Sequence, residues 1–447
     1  MSKKIVFGDS ELKEKTKKIS IIEAGFYGVH DGLGIRYITP FALAIGKNNP
    51  NINFFIGILN SLPSLIGSLS QLYTSKIINS YKRKSIISLG IIVQSLMWLL
   101  VIFSGAMFFL FNFNSNFSLT SLIVFYTLLA SFGTFVVPIW TSLMKDIVIN
   151  ERGDYFGKRN RIVGLISLLV ALIAGFVLDY FEKSYVFIGF FILFFTAFVF
   201  RLISGILFLY YYEPKFKFEK SNYFSFLTFL KKYPESNFTK FSVFVSLFMF
   251  AVYVSSPFFT VYMLEDLGFS YIEWTIITIT GTLSTILFMP FWGRFIDNYG
   301  SLKTLKITGV FIPVIPLIWL LTYFLESWHL IVFLILVETF AGIFWAGFSL
   351  SYSNFIYDAV TREKTHLCSA YFNILNGFGI FLGSILGGII LSLNIKFYFN
   401  TIFLLFILSA IARFFIYLIM IPKIKEVRNV NDFKMRLVFD KIKNSVI

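Results

Sequence analysis

Runs of twenty or more apolar residues alternate with short polar stretches along almost the whole chain. About twenty residues of α-helix cross a hydrocarbon core of roughly 30 Å, so each run predicts a spanning helix. Twelve spans are expected, at roughly 21–45, 53–78, 85–111, 118–144, 160–181, 185–212, 241–264, 272–297, 304–325, 330–357, 368–394 and 397–421. The polar stretch 213–240, with Glu213, Pro214, Lys215 and Lys217 near its start, separates a first bundle at 21–212 from a second at 241–421. Residues 1–20 and 422–447 read as tails. Within the linker, Phe and Leu fall on one side of Tyr223–Lys232 ahead of two lysines, which predicts a short helix lying at the membrane surface. The expected fold is an all-α polytopic membrane protein of two six-helix bundles.

Composition agrees with the pattern. Of 447 residues, 57% are hydrophobic and 14% charged, where soluble chains carry about 25% charged. Mean hydropathy is +0.77. The first twenty residues carry lysines and no apolar core, so they predict a cytoplasmic tail and no cleavable signal. The net charge of +15 is a topology signal before it is anything else. Lys47, Lys183 and Lys396 fall in expected outer loops, and Arg36, Arg201 and Arg413 within spans; every other Lys and Arg falls in the alternate segments or the span ends beside them. That bias places both termini in the cytoplasm. It argues against nucleic acid as the partner of the basic charge. The single cysteine, Cys368, and three histidines offer no disulfide and no zinc cluster.

The two bundles repeat each other at an offset of 212 residues. Asp146 meets Asp358, Glu151-Arg152 meets Glu363-Lys364, Gly175 meets Gly387 and Arg201 meets Arg413. One register held over such a length predicts pseudo-symmetric halves.

Between two apolar runs stands Gly293-Arg294-Phe-Ile-Asp297-Asn-Tyr-Gly300-Ser-Leu-Lys303. It predicts a helix that reaches the membrane surface, turns on Gly300 and re-enters, glycine being the residue that takes φ > 0 at little cost. The pattern of Gly, three residues, Asp, two residues, Gly and then basic residues resembles the cytoplasmic loop signature of the major facilitator superfamily. Its first-half counterpart, Ser75 to Lys84, departs from the signature: Ser75, Asn79 and Lys82 stand at the Gly, Asp and Gly places. Asn79 hydrogen-bonds but forms no ion pair, which weights any state-dependent lock toward Asp297. The resemblance implies a transporter of parallel six-helix halves, a monomer in the plasma membrane, moving a small-molecule substrate by alternating access.

Ionisable residues inside spans are costly and point to function. The first span holds Glu23, His30, Asp31 and Arg36 among Gly25, Gly28, Gly32 and Gly34. Asp31 falls near mid-bilayer and resembles, in place, the acidic residue of proton-coupled relatives; proton coupling is assigned to it and to Glu338 of the tenth span. Arg36 suits an anionic substrate, because its guanidinium fork matches a carboxylate or phosphate. On a straight helix residues five apart diverge by roughly 140°, so Asp31 and Arg36 pair only if the glycines unwind the segment. Glu23, near the end of its span, is expected in solvent. Arg201 and Arg413 are expected to be structural, as charges or as contacts to carbonyls. Substrate-binding candidates are His30, Arg36, Asn60, Trp140, Tyr253, Trp345, Asn373 and Asn376, and the gating motif is Gly293, Arg294, Asp297, Gly300, Lys303 and Asn79. Pro138 and Pro257 predict helix distortions. No GxxxxGK[ST], CxxC or HExxH occurs, so neither ATP hydrolysis nor a membrane enzyme is expected, and no cofactor. A proton-coupled secondary carrier is the leading expectation, with export by antiport ahead of sugar or organic-anion uptake. A lipid flippase or scramblase on the same scaffold is the alternative.

Overall fold

The computed structural model describes residues 8–78, 80–149, 152–214, 225–361, 364–393, 400–428 and 430. Among them every regular element is helical. The first two helices are α1 (Asp9–Leu33) and α2 (Ile38–Ile45). Eleven long apolar helices follow: α3 (Ile52–Tyr73), α4 (Arg83–Phe109), α5 (Ser115–Ile147), α6 (Asp154–Glu182), α7 (Tyr185–Tyr210), α8 (Asn237–Asp266), α9 (Tyr271–Tyr299), α10 (Ser301–Phe324), α11 (Ser327–Ala359), α12 (Leu367–Ser392) and α13 (Thr401–Lys423). Each coincides with an expected span to within a few residues. The protein is a multi-pass membrane protein.

The first expected span is the one that differs. Helix α1 begins at Asp9, well before the apolar run, because Glu11, Lys13, Glu14, Lys15 and Lys17 are good helix formers that a hydrophobic count passes over. Its chain breaks at Gly34, runs through one 3₁₀ turn at Ile35–Tyr37 and resumes as α2. Glycine is needed at the break, since a Cβ there would enter the Trp98 ring of α4. The condition set for an Asp31–Arg36 pair, an unwinding among the glycines, is met at Gly34.

Pro257 behaves as expected, with α8 interrupted over 254–257. At Pro138 α5 stays helical, from Ser115 to Ile147. Phe226–Lys231 is a short helix capped by Ser225, which accepts from the Thr228 N–H; the earlier residues of that expected segment, Tyr223 and Phe224, lie outside the described residues.

Contacts divide the chain into two compact units. The first is Met1–Lys220 with Val252–Ile276 and Gly377–Leu405, so it joins the first bundle to the facing ends of α8, α9 and α12. Small residues let these backbones touch. A Cβ at Gly57 would lie 2.6 Å from Ser384 O, one at Gly388 3.1 Å from Phe54 Cα, and one at Gly175 3.0 Å from Ile272 Cα. Two polar clasps lie in the same region. Asp179 accepts from the Tyr271 and Ile272 N–H groups, 2.7 and 3.2 Å, and so caps α9. Tyr37 donates to Ala171 O at 2.6 Å and lies 2.8 Å from the Thr275 hydroxyl. The second unit is Ser221–Ala251, Ile277–Asn376 and Phe406–Ile447. In it Arg413 donates to Ile312 O and to Ser409 Oγ, the structural carbonyl contact expected of it.

Inside the first unit α1 lies against α6 through Gly28 and Gly32. Added Cβ atoms would stand 3.0 Å from Val163 O and 2.5 Å from Ser167 O. This close approach, the GxxxG logic of membrane helices, sets Glu23 opposite Arg159 and Asp31 opposite Ser167.

Candidate functional site

Glu23, Tyr27 and His30 recur at helical spacing on one face of α1. That face closes one side of a cavity of about 480 Å³ within the first unit. Gln71 of α3, Gln94 of α4, Thr134 and Trp140 of α5, Arg159 of α6 and Arg201 of α7 add to its polar lining. Ile87, Ile91, Val136 and Phe208 line it from a buried apolar cluster shared by α4, α5 and the end of α7. The volume is that of an ordinary small-molecule site.

The cavity holds a charge network. Arg159 donates to Glu23 at 2.6 Å, and the second Glu23 oxygen accepts from Ser204 at 2.6 Å. Arg201 donates to Gln94 at 2.8 Å, with a terminal nitrogen 3.9 Å from Glu23. Each guanidinium also faces an aromatic ring: Arg159 lies 4.6 Å from the Trp140 centroid and Arg201 5.1 Å from that of Tyr27. Two cations thus share one carboxylate. Arg159 Nε, Trp140 Nε1 and both ring nitrogens of His30 are buried with no hydrogen-bond partner. Each such group typically costs about 1–3 kcal/mol.

One expectation is corrected here. Glu23 is not solvated but 1% exposed, facing Arg159 of α6 where α1 and α6 pack closely. Arg201 meets side chains, Gln94 and Glu23, as a charge within the bundle rather than through a carbonyl. Arg159 escaped notice because it sits where a basic residue reads as a topology charge. His30 and Trp140 both line this cavity, and His30 also packs edge-on to Trp98 at 5.6 Å.

Asp31 lies apart from the lining and accepts from Ser167 Oγ at 2.7 Å. Arg36, beyond the break, is in electrostatic range of Asp31. Tyr126 of α5, which no sequence pattern singled out, is in range of both Asp31 and Tyr253. Asn60 is interhelical glue: its amide donates to Thr39 Oγ1 at 3.1 Å and to Ile56 O at 3.0 Å. In the second unit, Glu338 of α11 fits a notch at Gly281, where a Cβ would stand 2.6 Å from its Oε2. Trp345 stacks edge-on to Phe348 at 5.6 Å. On α12, Asn376 has a buried oxygen without a partner, and Asn373 lies one turn before it.

The turn expected at Gly293–Lys303 is present. Helix α9 ends at Tyr299, Gly300 takes φ +88°, and α10 begins at Ser301. Asp297 is exposed, Asn298 donates to Arg294 O at 2.8 Å, and the Lys303 ammonium is 6.0 Å from the Tyr299 ring. Asn79 lies outside the described residues. Unforeseen is a pair of matched caps. Glu213 accepts from the Lys84 N–H at 2.9 Å at the start of α4, and Glu426 accepts from the Leu302 N–H at 2.8 Å at the start of α10. In the first unit the cap joins buried Arg83, which donates to Glu213 at 3.0 Å and to Asp146 at 2.7 Å. Gly300→Ala forces an L side chain into a left-handed conformation and against Glu426. A loss of about 1–2 kcal/mol is expected, read as a lower unfolding temperature in detergent.

A sequence model described as Major Facilitator Superfamily matches residues 32–234 and 241–442, one repeat in each half. The chain belongs to this superfamily. No curated protein matches the facilitator in sequence. Its fold is similar to that of solved transporters. A mutant of the nucleoside transporter NupG is 14% identical, with a TM-score of 0.66 over 93% of this chain and 100% of the other. A bacterial homologue of the human lysosomal transporter Spinster is 13% identical, with a TM-score of 0.64 over 92% and 97%. A bacterial homologue of the iron transporter ferroportin is 11% identical, with a TM-score of 0.70 over 93% and 99%. At such identities the likeness is one of fold.

Proposed function

We propose that this facilitator is a proton-coupled secondary carrier that moves a small molecule across the plasma membrane by alternating access. The observation that carries the proposal is Asp31: an intramembrane carboxyl bonded to Ser167, in electrostatic range of Arg36 and Arg201, three residues from the helix break at Gly34. An intramembrane carboxyl is a proton-handling group by default, and a broken helix is where water access changes most readily. Glu338 is the second proton-handling group, on the opposite half of the repeat. In this reading α1 and α2 together form the twelfth span and both termini are cytoplasmic, as the distribution of lysines and arginines requires. The backbone contacts at Gly57, Gly175 and Gly388 are then the closed outer gate, and the Glu213 and Glu426 caps brace the cytoplasmic ends.

The test uses a compound that the reconstituted protein transports, found by screening metabolites and drugs in proteoliposomes. Asp31→Asn should keep counterflow within several-fold of wild type and lose accumulation driven by a pH gradient. Retained pH-driven accumulation in that variant would remove Asp31 from the coupling step.

A further inference from the structure

We propose that the cavity enclosed by α1, α4, α5, α6 and α7 binds a small organic monoanion, a carboxylate on an apolar or aromatic body. Its lining carries two guanidinium groups, Arg159 and Arg201, against the one carboxylate of Glu23. Asp31, outside the lining, adds its attraction to Arg201. Within the lining itself the cations outnumber the anion, and a bound monoanion evens the count.

The donors for that anion are already placed. Glu23 takes the Arg159 Nη2 proton and leaves Nε, which is buried and unbonded. The Trp140 indole N–H, on the ring that Arg159 covers, is likewise buried and unbonded. His30 brings a further donor, since one nitrogen of a neutral imidazole always carries a proton. Three donors of this kind lining one cavity suit two carboxylate oxygens. They offer little to a cation. Ile87, Ile91, Val136 and Phe208 give the cavity an apolar wall that suits a hydrocarbon or aromatic body. Ile35 and Val137, which also line the cavity, are 37% and 52% exposed.

The second half of the repeat does not reproduce this arrangement of charges. At the 212-residue offset Arg159 corresponds to Tyr371, which is 1% exposed and packs on Phe226 and Phe229. Arg201 corresponds to Arg413, whose guanidinium is satisfied by Ile312 O and Ser409 within the protein. The second half packs aromatic rings where the first half holds a cation with free donors. The difference between the halves is the signature of a ligand site.

This inference concerns binding alone and is tested on the solubilised full chain, so a failure to detect transport leaves it standing, and a failure to bind leaves the carrier reading standing. The probes are benzoate and, as a cation of the same shape, benzylamine. Benzoate should raise the unfolding temperature saturably and benzylamine should not. Equilibrium dialysis of radiolabelled benzoate should show affinities about tenfold weaker in Arg159→Lys, which keeps the charge but loses Nε and the planar stack, and in Trp140→Phe, which keeps the ring but loses the N–H. The proposal falls if benzoate stabilises wild type no more than benzylamine up to about 10 mM. It falls equally if Trp140→Phe, the milder change, binds benzoate as wild type does.

Discussion

Glu23→Gln should be among the most destabilising conservative substitutions in the first bundle, with a loss of about 3–5 kcal/mol. The carboxylate is 1% exposed and carries three interactions: Arg159 at 2.6 Å, Ser204 at 2.6 Å and Arg201 at 3.9 Å. An amide of the same size keeps the packing and one hydrogen bond but removes the one anion that lines the cavity among the described residues. Two buried guanidinium groups would then repel each other with only Asp31, outside the lining, to offset Arg201. The same interaction at the surface would be worth a few tenths of a kcal/mol, so the size of the effect reports burial. Arg159→Gln alone should cost less, because Glu23 keeps Ser204 and stays near Arg201. The double substitution should be less destabilising than the sum of the two, the coupling being the ion pair itself. Unfolding temperatures of the four purified proteins check this. Additive effects, or a Glu23→Gln variant as stable as wild type, would mean that the pair is solvated.

Hydrophobic run length was enough to place eleven helices, because a membrane leaves a spanning segment no alternative to internal hydrogen bonding. Gly300 was equally legible: a glycine between Tyr299 and Ser301, flanked by charge, has one conformational use, and its φ of +88° is that use. The site was harder to read, for a physical reason. Whether an ionisable residue is buried depends on which face of a helix meets which neighbour, and run length says nothing of faces. Glu23 was assigned to solvent by counting from the first apolar residue, whereas Asp9 to Ser20 continue the helix outward. Arg159 stands beside Lys158 at a span end and looks like its neighbour; only the packing of Gly28 and Gly32 on α6 turns one of the two inward. The caps by Glu213 and Glu426 depend on contacts between residues more than a hundred positions apart. Asp31 was found because its position alone is anomalous, yet Ser167 and Tyr126, its surroundings, carry no signal of their own.

Gly388→Leu should leave the protein folded and abolish most of its transport. Helices α3 and α12 meet there backbone to backbone: a Cβ at Gly388 would lie 2.8 Å from Asn53 O and 3.1 Å from Phe54 Cα, with the Gly57–Ser384 contact one turn away. No rotamer of a leucine fits between them. Each bundle can keep its internal packing if these ends stay apart, so the penalty falls on the closed arrangement rather than on folding. Overpacking costs about 1–3 kcal/mol, which shifts a two-state equilibrium roughly 5- to 150-fold. A carrier that must pass through the closed state on every cycle slows accordingly, while a ligand reaching its site from the open side still binds. Ser384 reports the state directly. It is fully buried, and as Ser384→Cys in a Cys368→Ser background it should react slowly with a membrane-impermeant maleimide. Adding Gly388→Leu should speed that reaction by a comparable factor and slow transport in parallel. If labelling quickens and transport does not fall, closure of these ends is not part of the cycle. If neither changes, α3 and α12 do not meet at Gly388 at all.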